Sequence, residues 1–528
     1  MKFRTLHELG HDEREVTLID NPETVGEHHP HLRGTNVVLV PHPSSDVNDP
    51  LRMPSWKKWA AFINVCILTF MTTAWVGGIT PSLFVLSVEF KVDVSRATGL
   101  LTWPVLAAGI CNFFWTPTSE YLGRRPVFLV ASVLLFACEI WAATSPNLDN
   151  LLASRVIGAF AGSCTESMGA LIVNDIFYLH ERGAKMGVYL LFITSGNSLG
   201  PLVAGFITEG IGWRWVSWIC AIISGINCVG IFFLFPETRW HRNIDASATL
   251  GVGTLHESVE DKSITEDTVE HVTSISDATV GVKTTYMQEL NPWSGTTQIG
   301  YVNHLIRPWP LLAYPAIALG ALAYSTSLAW LVGAGSLSSF VFSIPPYRFG
   351  PGVSGLINVP GVLGILFGAF IGGKCTDWVA RRAARRKHGK FTPESRLVLL
   401  VVPFVVGPCG LLMFGIGAQK RLHWIVLFIG YGMINVLPAT ASIAMTYVMD
   451  SYFEIAAEGL LVVNGVKNIV AFGFSYGFIP WSAKVGYTVV FGTMSGILMF
   501  VLMLYIPIYI WGAKIRRYTT SKMKIVLI

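Results

Sequence analysis

Twelve stretches of about 20 apolar residues, each long enough to cross a hydrocarbon core roughly 30 Å thick, dictate what this chain can become. They fall at 59–86, 98–118, 126–144, 150–173, 184–208, 214–236, 309–343, 354–374, 396–417, 423–449, 457–480 and 485–512. In lipid every backbone N–H and C=O has to be satisfied within its own segment, so spans of this kind fold as helices. The expected fold class is therefore an all-α membrane protein with twelve transmembrane helices. Charged residues make up only 13% of the 528 residues, against about a quarter in soluble domains.

The segments between spans set the topology. Residues 1–58 are polar and read as a disordered arm rather than a cleavable signal, so the first span is expected to direct insertion. His28, His29 and His31 in that arm lack any regular ligand spacing, and no metal site is expected there. A Ser/Thr/Asp/Glu-rich linker at 237–306 separates six spans from six, and a short tail follows at 513–528. Lys57, Lys58, Arg124, Arg125, the run RRAARRKHGK at 381–390, Lys514, Arg516 and Arg517 all fall on one side of twelve spans. By the positive-inside rule that side, with both termini and the linker, is cytosolic. The basic run is short, lies between two spans and has no interleaved aromatics, so it suits anionic lipid and not nucleic acid.

Nothing in the chain resembles catalytic machinery. The eight cysteines sit in or at the ends of spans with no C-x-x-C pair, which reads as small buried side chains without disulfides or metal. No nucleophile–base pair or nucleotide-binding loop is present, so neither an enzyme nor a cofactor is expected.

The fifth span, GVYLLFITSGNSLGPLVAG at 187–205, carries no charge and spaces Gly187, Gly196, Gly200, Pro201 and Gly205 at set intervals. Gly196 and Gly200 are four apart and share one helical ridge, where missing side chains let another backbone approach. Pro201 withholds an N–H and crowds the carbonyl four residues back, which favours a bend. This pattern closely resembles the fifth-helix antiporter motif of the drug/proton antiporter division of the major facilitator superfamily. The ridge is expected to carry this helix past the second half of the molecule.

Further motifs fit the same family. SEYLGRRP at 119–126 is similar to its loop motif G-x-L-x-D-R-x-G-R-R, with Glu120, Gly123, Arg124 and Arg125 retained as acid, turn and basic pair. Thr116, Thr118 and Tyr121 depart from it. A second copy, Gly373, Asp377, Arg381 and Arg382, recurs about 250 residues later, the mark of a duplicated half. FPETRW at 235–240 and the lead-in at 39–59 also resemble the fungal branch that carries organic cations, polyamine-like compounds and drugs.

Charges at membrane depth locate the chemistry, because an unpaired one costs several kcal/mol and faces a partner, water or the bundle interior. Glu139, Glu166 and Lys467 qualify. Arg155 and Glu166 are eleven residues apart, hence about 20° apart around the fourth helix and some 16 Å along it. Gly158 and Gly162 lie between them. Arg155 is either a clamp at the helix end or a gating partner. Asn464, Lys467 and Asn468 occupy one face of the eleventh span. Glu166 is the expected proton carrier, with a static ion pair to a base such as Lys467 as the alternative.

The resemblance spans the chain from 39 to the twelfth helix. It implies two six-helix bundles, 59–236 and 307–512, that rock about a central cavity. It further implies a small-molecule substrate and protons as partners, a monomer in the bilayer of the plasma membrane, and efflux. Uptake of a nitrogenous organic cation, or a membrane sensor that has lost transport, are the alternatives.

Overall fold

The computed structural model describes residues 3–4, 48–239, 286–289, 301–386, 392–452, 455–522 and 526–527. His28, His29 and His31, most of the 237–306 linker and the end of the basic run 381–390 lie outside the described residues. Among the described residues, twelve helices are long and apolar enough to cross a membrane. In chain order they are α1 Ser55–Glu89, α2 Val94–Leu122, α3 Arg124–Ala143, α4 Leu148–Ile176, α5 Lys185–Gly210 and α6 Arg214–Leu234. The second six are α7 Pro315–Ser343, α8 Pro351–Ala380, α9 Pro393–Lys420, α10 Trp424–Ser451, α11 Glu458–Val485 and α12 Tyr487–Thr519. The twelve-helix expectation holds, with edges displaced by a few residues.

Two displacements have clear causes. The helix of α1 begins at Ser55, behind a short buried turn at Pro50–Arg52. Asp49 accepts the Leu51 N–H at 2.9 Å, and Lys58 Nζ and Tyr178 Oη both donate to the Leu51 carbonyl, at 2.8 and 3.2 Å. The last residues of the arm expected to be disordered are therefore folded onto the first half. The seventh helix starts at Pro315 rather than 309, because Trp309–Ala313 forms its own turn. Trp309 stacks on Phe113 of α2, centroids 4.4 Å apart.

Side chains collect into two cores. One lies within α1–α6 and includes Phe62, Trp75, Phe128, Ile172 and Ile231. The other is centred on α7–α12, including Trp330, Phe414, Tyr447 and Phe491, and takes in Tyr314 just before α7 and Phe113 of α2. The halves meet where α2 packs on α11 and where α5 packs on α8. Both seams depend on glycine. A Cβ on Gly109 would lie 2.9 Å from Asn468 Cβ, and one on Gly205 would lie 2.7 Å from the Pro351 carbonyl oxygen.

The ends of the halves that carry the basic loops are clasped by charge. Arg124, almost fully buried, pairs with Glu120 at 2.9 Å and Asp175 at 3.2 Å. Glu237 accepts the Arg124 and Arg125 backbone N–H groups at 2.9 and 3.2 Å, which caps the start of α3. Arg239 donates to the carbonyls of Glu120 and Tyr121, which satisfies the end of α2. Residues 237–239 thus belong structurally to the first half. In the second half the acid of the motif is also held by an arginine from the next helix. Asp377 is bound by Arg396, at 2.8 Å, and Arg396 also holds Asp450 at 2.8 Å. Arg382 lies over the Trp378 ring, and a Cβ on Gly373 would meet nothing within 4 Å.

Candidate functional site

Between the halves lies a cavity of about 120 Å³ whose wall comes from α1, α2, α4 and α5 on one side and from α7, α8, α10 and α11 on the other. Thr72, Thr73, Ser163, Asn197, Asn358 and Tyr431 give it hydroxyl and amide groups, while Leu101, Pro104 and Val332 give it apolar surface. Glu166 is the charged residue of this wall. One end is shut by contacts between halves: Ser339 Oγ donates to the Pro81 carbonyl at 3.3 Å, and Phe84 meets Phe340 edge-on at 6.4 Å.

Glu166 gathers partners from two helices, α2 and α11. Its Oε2 accepts from Asn468 Nδ2 at 2.9 Å and from Asn112 Nδ2 at 3.3 Å, and Lys467 Nζ stands 3.4 Å away. Lys467 also donates to Tyr324 Oη at 3.2 Å and lies 4.3 Å from the centre of that ring. The side chain of Lys467 is 4% exposed and that of Glu166 is 18% exposed, so the acid is the wetter member of the pair. Gly162 and Ser163 on the preceding turn line the same cavity as Glu166, with Thr72 of α1 packed against Gly162. Glu166 belongs to the first half and Lys467 and Asn468 to the second, so one carboxylate oxygen joins the two halves.

The helical face predicted for 464–468 places Lys467 and Asn468 together on Glu166. Asn464, a turn earlier, is buried but is not among the residues that line the cavity. Arg155 is not brought to Glu166 at all. Its guanidinium donates to the carbonyls of Leu100 at 2.8 Å, Trp75 at 3.3 Å and Val76 at 2.7 Å, and stacks 5.0 Å from the centre of the Trp75 ring. Leu100 belongs to α2, four residues before Pro104, which has no N–H to offer its carbonyl. Trp75 and Val76 lie just before the helix of α1 gives way to the turn at Thr80–Ser82. Arg155 thus ties α4 to α1 and α2 as a clamp, and it is not among the residues that line the cavity. The signal the sequence held was Pro104, four residues past Leu100.

The glycine motif of α5 divides by neighbour. A Cβ on Gly196 would crowd Thr73 and lie 2.7 Å from the Phe70 carbonyl; on Gly200 it would lie 2.6 Å from Ala74 Cα. Both neighbours are on α1, in the same half. Gly205 alone of the three meets the second half, Gly187 has nothing within 4 Å, and Pro201 lines the cavity. The expected ridge between halves is thus mainly a seam inside the first half. The cause is the side of the helix: Gly196 and Gly200 are turned to α1, and Gly205 is turned to α8.

Asn112, which donates to Glu166, and Tyr324, which accepts from Lys467, are site residues that sequence reasoning missed. Asn112 is a fully buried amide in an otherwise apolar span, and that oddity was the available signal.

Comparison with known proteins now adds to this geometry. The family model described as Major Facilitator Superfamily matches residues 65–475. The chain belongs to the major facilitator superfamily. An uncharacterized MFS-type transporter of Schizosaccharomyces pombe is 26% identical, over 95% of this chain and 92% of its own length. The MFS antiporter QDR3 of Candida albicans is 26% identical, over 88% and 78%. Among solved structures, the crystal structure of the human organic anion transporter MFSD10 (TETRAN) superposes with a TM-score of 0.56 at 16% identity, covering 86% of this chain and all of that one. That likeness supports the fold alone. The chain is accordingly a multi-pass membrane transporter with fungal transporters among its relatives, and not an enzyme.

Proposed function

We propose that this transporter exports a small organic molecule in exchange for protons, by rocking of its two six-helix halves about the cavity. The observation that carries the reading is the Glu166–Lys467 pair, 3.4 Å apart with one member on each half. While Glu166 is ionised the pair is neutral overall and holds the halves together. A proton on Glu166 removes that attraction and leaves Lys467 a buried cation with a phenol for company, a state that costs several kcal/mol. Separation of the halves relieves the cost by admitting water or substrate. Proton loading and opening are thereby coupled through one atom pair.

The cavity volume supports a step of this kind. About 120 Å³ is well below the roughly 300–1,000 Å³ of sites that hold drug-sized ligands, so the halves have to part before a substrate enters. Export is favoured by the fifth-helix motif and by the name antiporter borne by the Candida albicans relative. Both termini and the linker are proposed to face the cytosol at the plasma membrane, with the chain acting as a monomer.

The test is counterflow of a panel of labelled organic compounds in reconstituted vesicles at two pH values. A true substrate should exchange at both, and should move against its gradient only when a pH gradient is imposed. Cells carrying the chain should accumulate less of that compound than cells without it. Greater accumulation would reverse the direction, and concentration without a pH gradient would remove the proton. Proteolysis of the linker from outside sealed cells would overturn the topology.

A further inference from the structure

At the end of α5 the structure places an acid against the backbone of the opposite half. Glu209 Oε2 accepts the Gly352 N–H at 2.8 Å, where Pro351 and Gly352 open the first turn of α8. The first N–H groups of a helix have no partner in their own helix and carry its positive end, so a carboxylate there is favoured twice over. Glycine makes the approach possible. A Cβ on Gly350 would lie 2.7 Å from Glu209 Oε1, and one on Gly352 would collide with Oε2. One turn earlier, Gly205 brings α5 to within backbone contact of Pro351 and Gly355. An acid from the first half is thus seated between two glycines, Gly350 and Gly352, on the second.

We infer that Glu209 is a latch that holds the cavity closed at this end. It sits at the same end as the Ser339–Pro81 hydrogen bond and the Phe84–Phe340 contact, and all three cross between halves. For the cavity to open there, α8 has to leave α5, and the Gly352 N–H has to lose its carboxylate. Of the three contacts this one is the shortest hydrogen bond and is charge-assisted, a class roughly twice as strong as neutral bonds. It is not part of the cavity wall. Its role is to set how often the closed state gives way, not to touch the substrate. The inference rests on the rocking of halves proposed above, but not on Glu166 or on what drives the motion.

The experiment places a cysteine at Ser338, in the cavity wall, in a chain whose eight native cysteines are replaced. Alkylation by a membrane-impermeant maleimide is then timed from the side next to Glu209. Glu209→Ala should raise the alkylation rate by roughly three- to tenfold, the population change expected when a hydrogen bond to a partly exposed charge is lost. Glu209→Gln keeps the size and one acceptor oxygen and should give a smaller rise; it is the reading to use should Glu209→Ala fail to reach the membrane. Gly352→Ala pushes the carboxylate off its N–H and should act like Glu209→Ala, while the double variant should add nothing to either one. Unchanged rates in the Glu209 variants, or additive effects in the double variant, would overturn the latch. A Ser338 cysteine that is never alkylated from that side, even while the native transporter is turning over substrate, would instead refute the rocking itself.

Discussion

Glu139 and Glu166 are both acids within the membrane-spanning part of the first half, and the structure surrounds them in opposite ways. Glu139 is fully buried between α3 and α6, accepts one hydrogen bond from Ser224 Oγ at 3.1 Å, and its second oxygen has no partner among the described residues. Glu166 lines a cavity, and its partners Lys467 and Asn468 come from the other half. Depth in the membrane therefore does not distinguish a working acid from a structural one. What distinguishes them is whether the partners move relative to the acid when the halves rock. In the rocking proposed above, Glu139 keeps its Ser224 partner, which belongs to the same half, whereas Glu166 exchanges Lys467 and Asn468.

The largest effect is expected from Glu166→Gln. Glutamine keeps the size and still accepts from Asn468, but carries no titrating charge. Transport driven by a pH gradient should be lost in reconstituted vesicles, while exchange of substrate for substrate persists. A variant that still concentrates substrate in response to pH would move the proton to another residue and erase the contrast with Glu139.

Next in size is the loss of the counter-charge. Lys467→Met leaves Glu166 buried with only amides, and removing one member of a buried pair costs about 3–5 kcal/mol. The 18% exposure of the Glu166 side chain argues for the lower end of that range. The double variant Glu166→Gln with Lys467→Met removes both charges and should recover most of the melting temperature lost by Lys467→Met. A double variant less stable than either single one would mean that the pair is not a unit.

The glycines of α5 sharpen the same contrast between contacts inside a half and contacts across halves. Gly200 faces the main chain of Ala74 in its own half, so Gly200→Leu should lower the stability and surface level of the transporter, by about 1–3 kcal/mol for overpacking of this kind. Gly205→Ala presses on Pro351 of the other half and should change the rate of exchange more than the melting temperature. Normal stability with defective exchange in Gly200→Leu would restore the reading of the whole ridge as a surface between halves.

The twelve spans were legible because lipid leaves a 20-residue apolar helix as the standing solution, and the duplicated loops were legible because glycine turns and basic pairs have few other uses between spans. Partner choice was not. Arg396, 19 residues beyond Asp377, binds it, and loop closure over that distance leaves no local pattern. Arg155 and Glu166 do share a helical face, yet one side chain is taken up by carbonyls of α1 and α2 and the other by α11. Periodicity places a side chain on a face; the neighbour that waits there depends on how helices distant in sequence are stacked. Lys467 with Asn468 was predicted as a unit correctly because both sit on one helix, whereas Asn112 and Tyr324 come from two others.

The smallest effect is expected from Glu139→Gln, and it tests the comparison from its other side. The glutamine Oε1 can accept from Ser224 as the carboxylate does. Its amide N–H then needs an acceptor, and Asn227 Oδ1, one turn along α6 from Ser224, is buried without a partner among the described residues. A change that keeps the Ser224 bond and replaces one unsatisfied buried oxygen by an amide should alter stability by no more than about 1 kcal/mol, read as the melting temperature in detergent. Transport under a pH gradient should match the native chain at equal surface level. Loss of that transport in Glu139→Gln, with Glu166→Gln unaffected, would exchange the two roles: the buried pocket between α3 and α6 would then hold the proton, and the acid between the halves would be only the fastener.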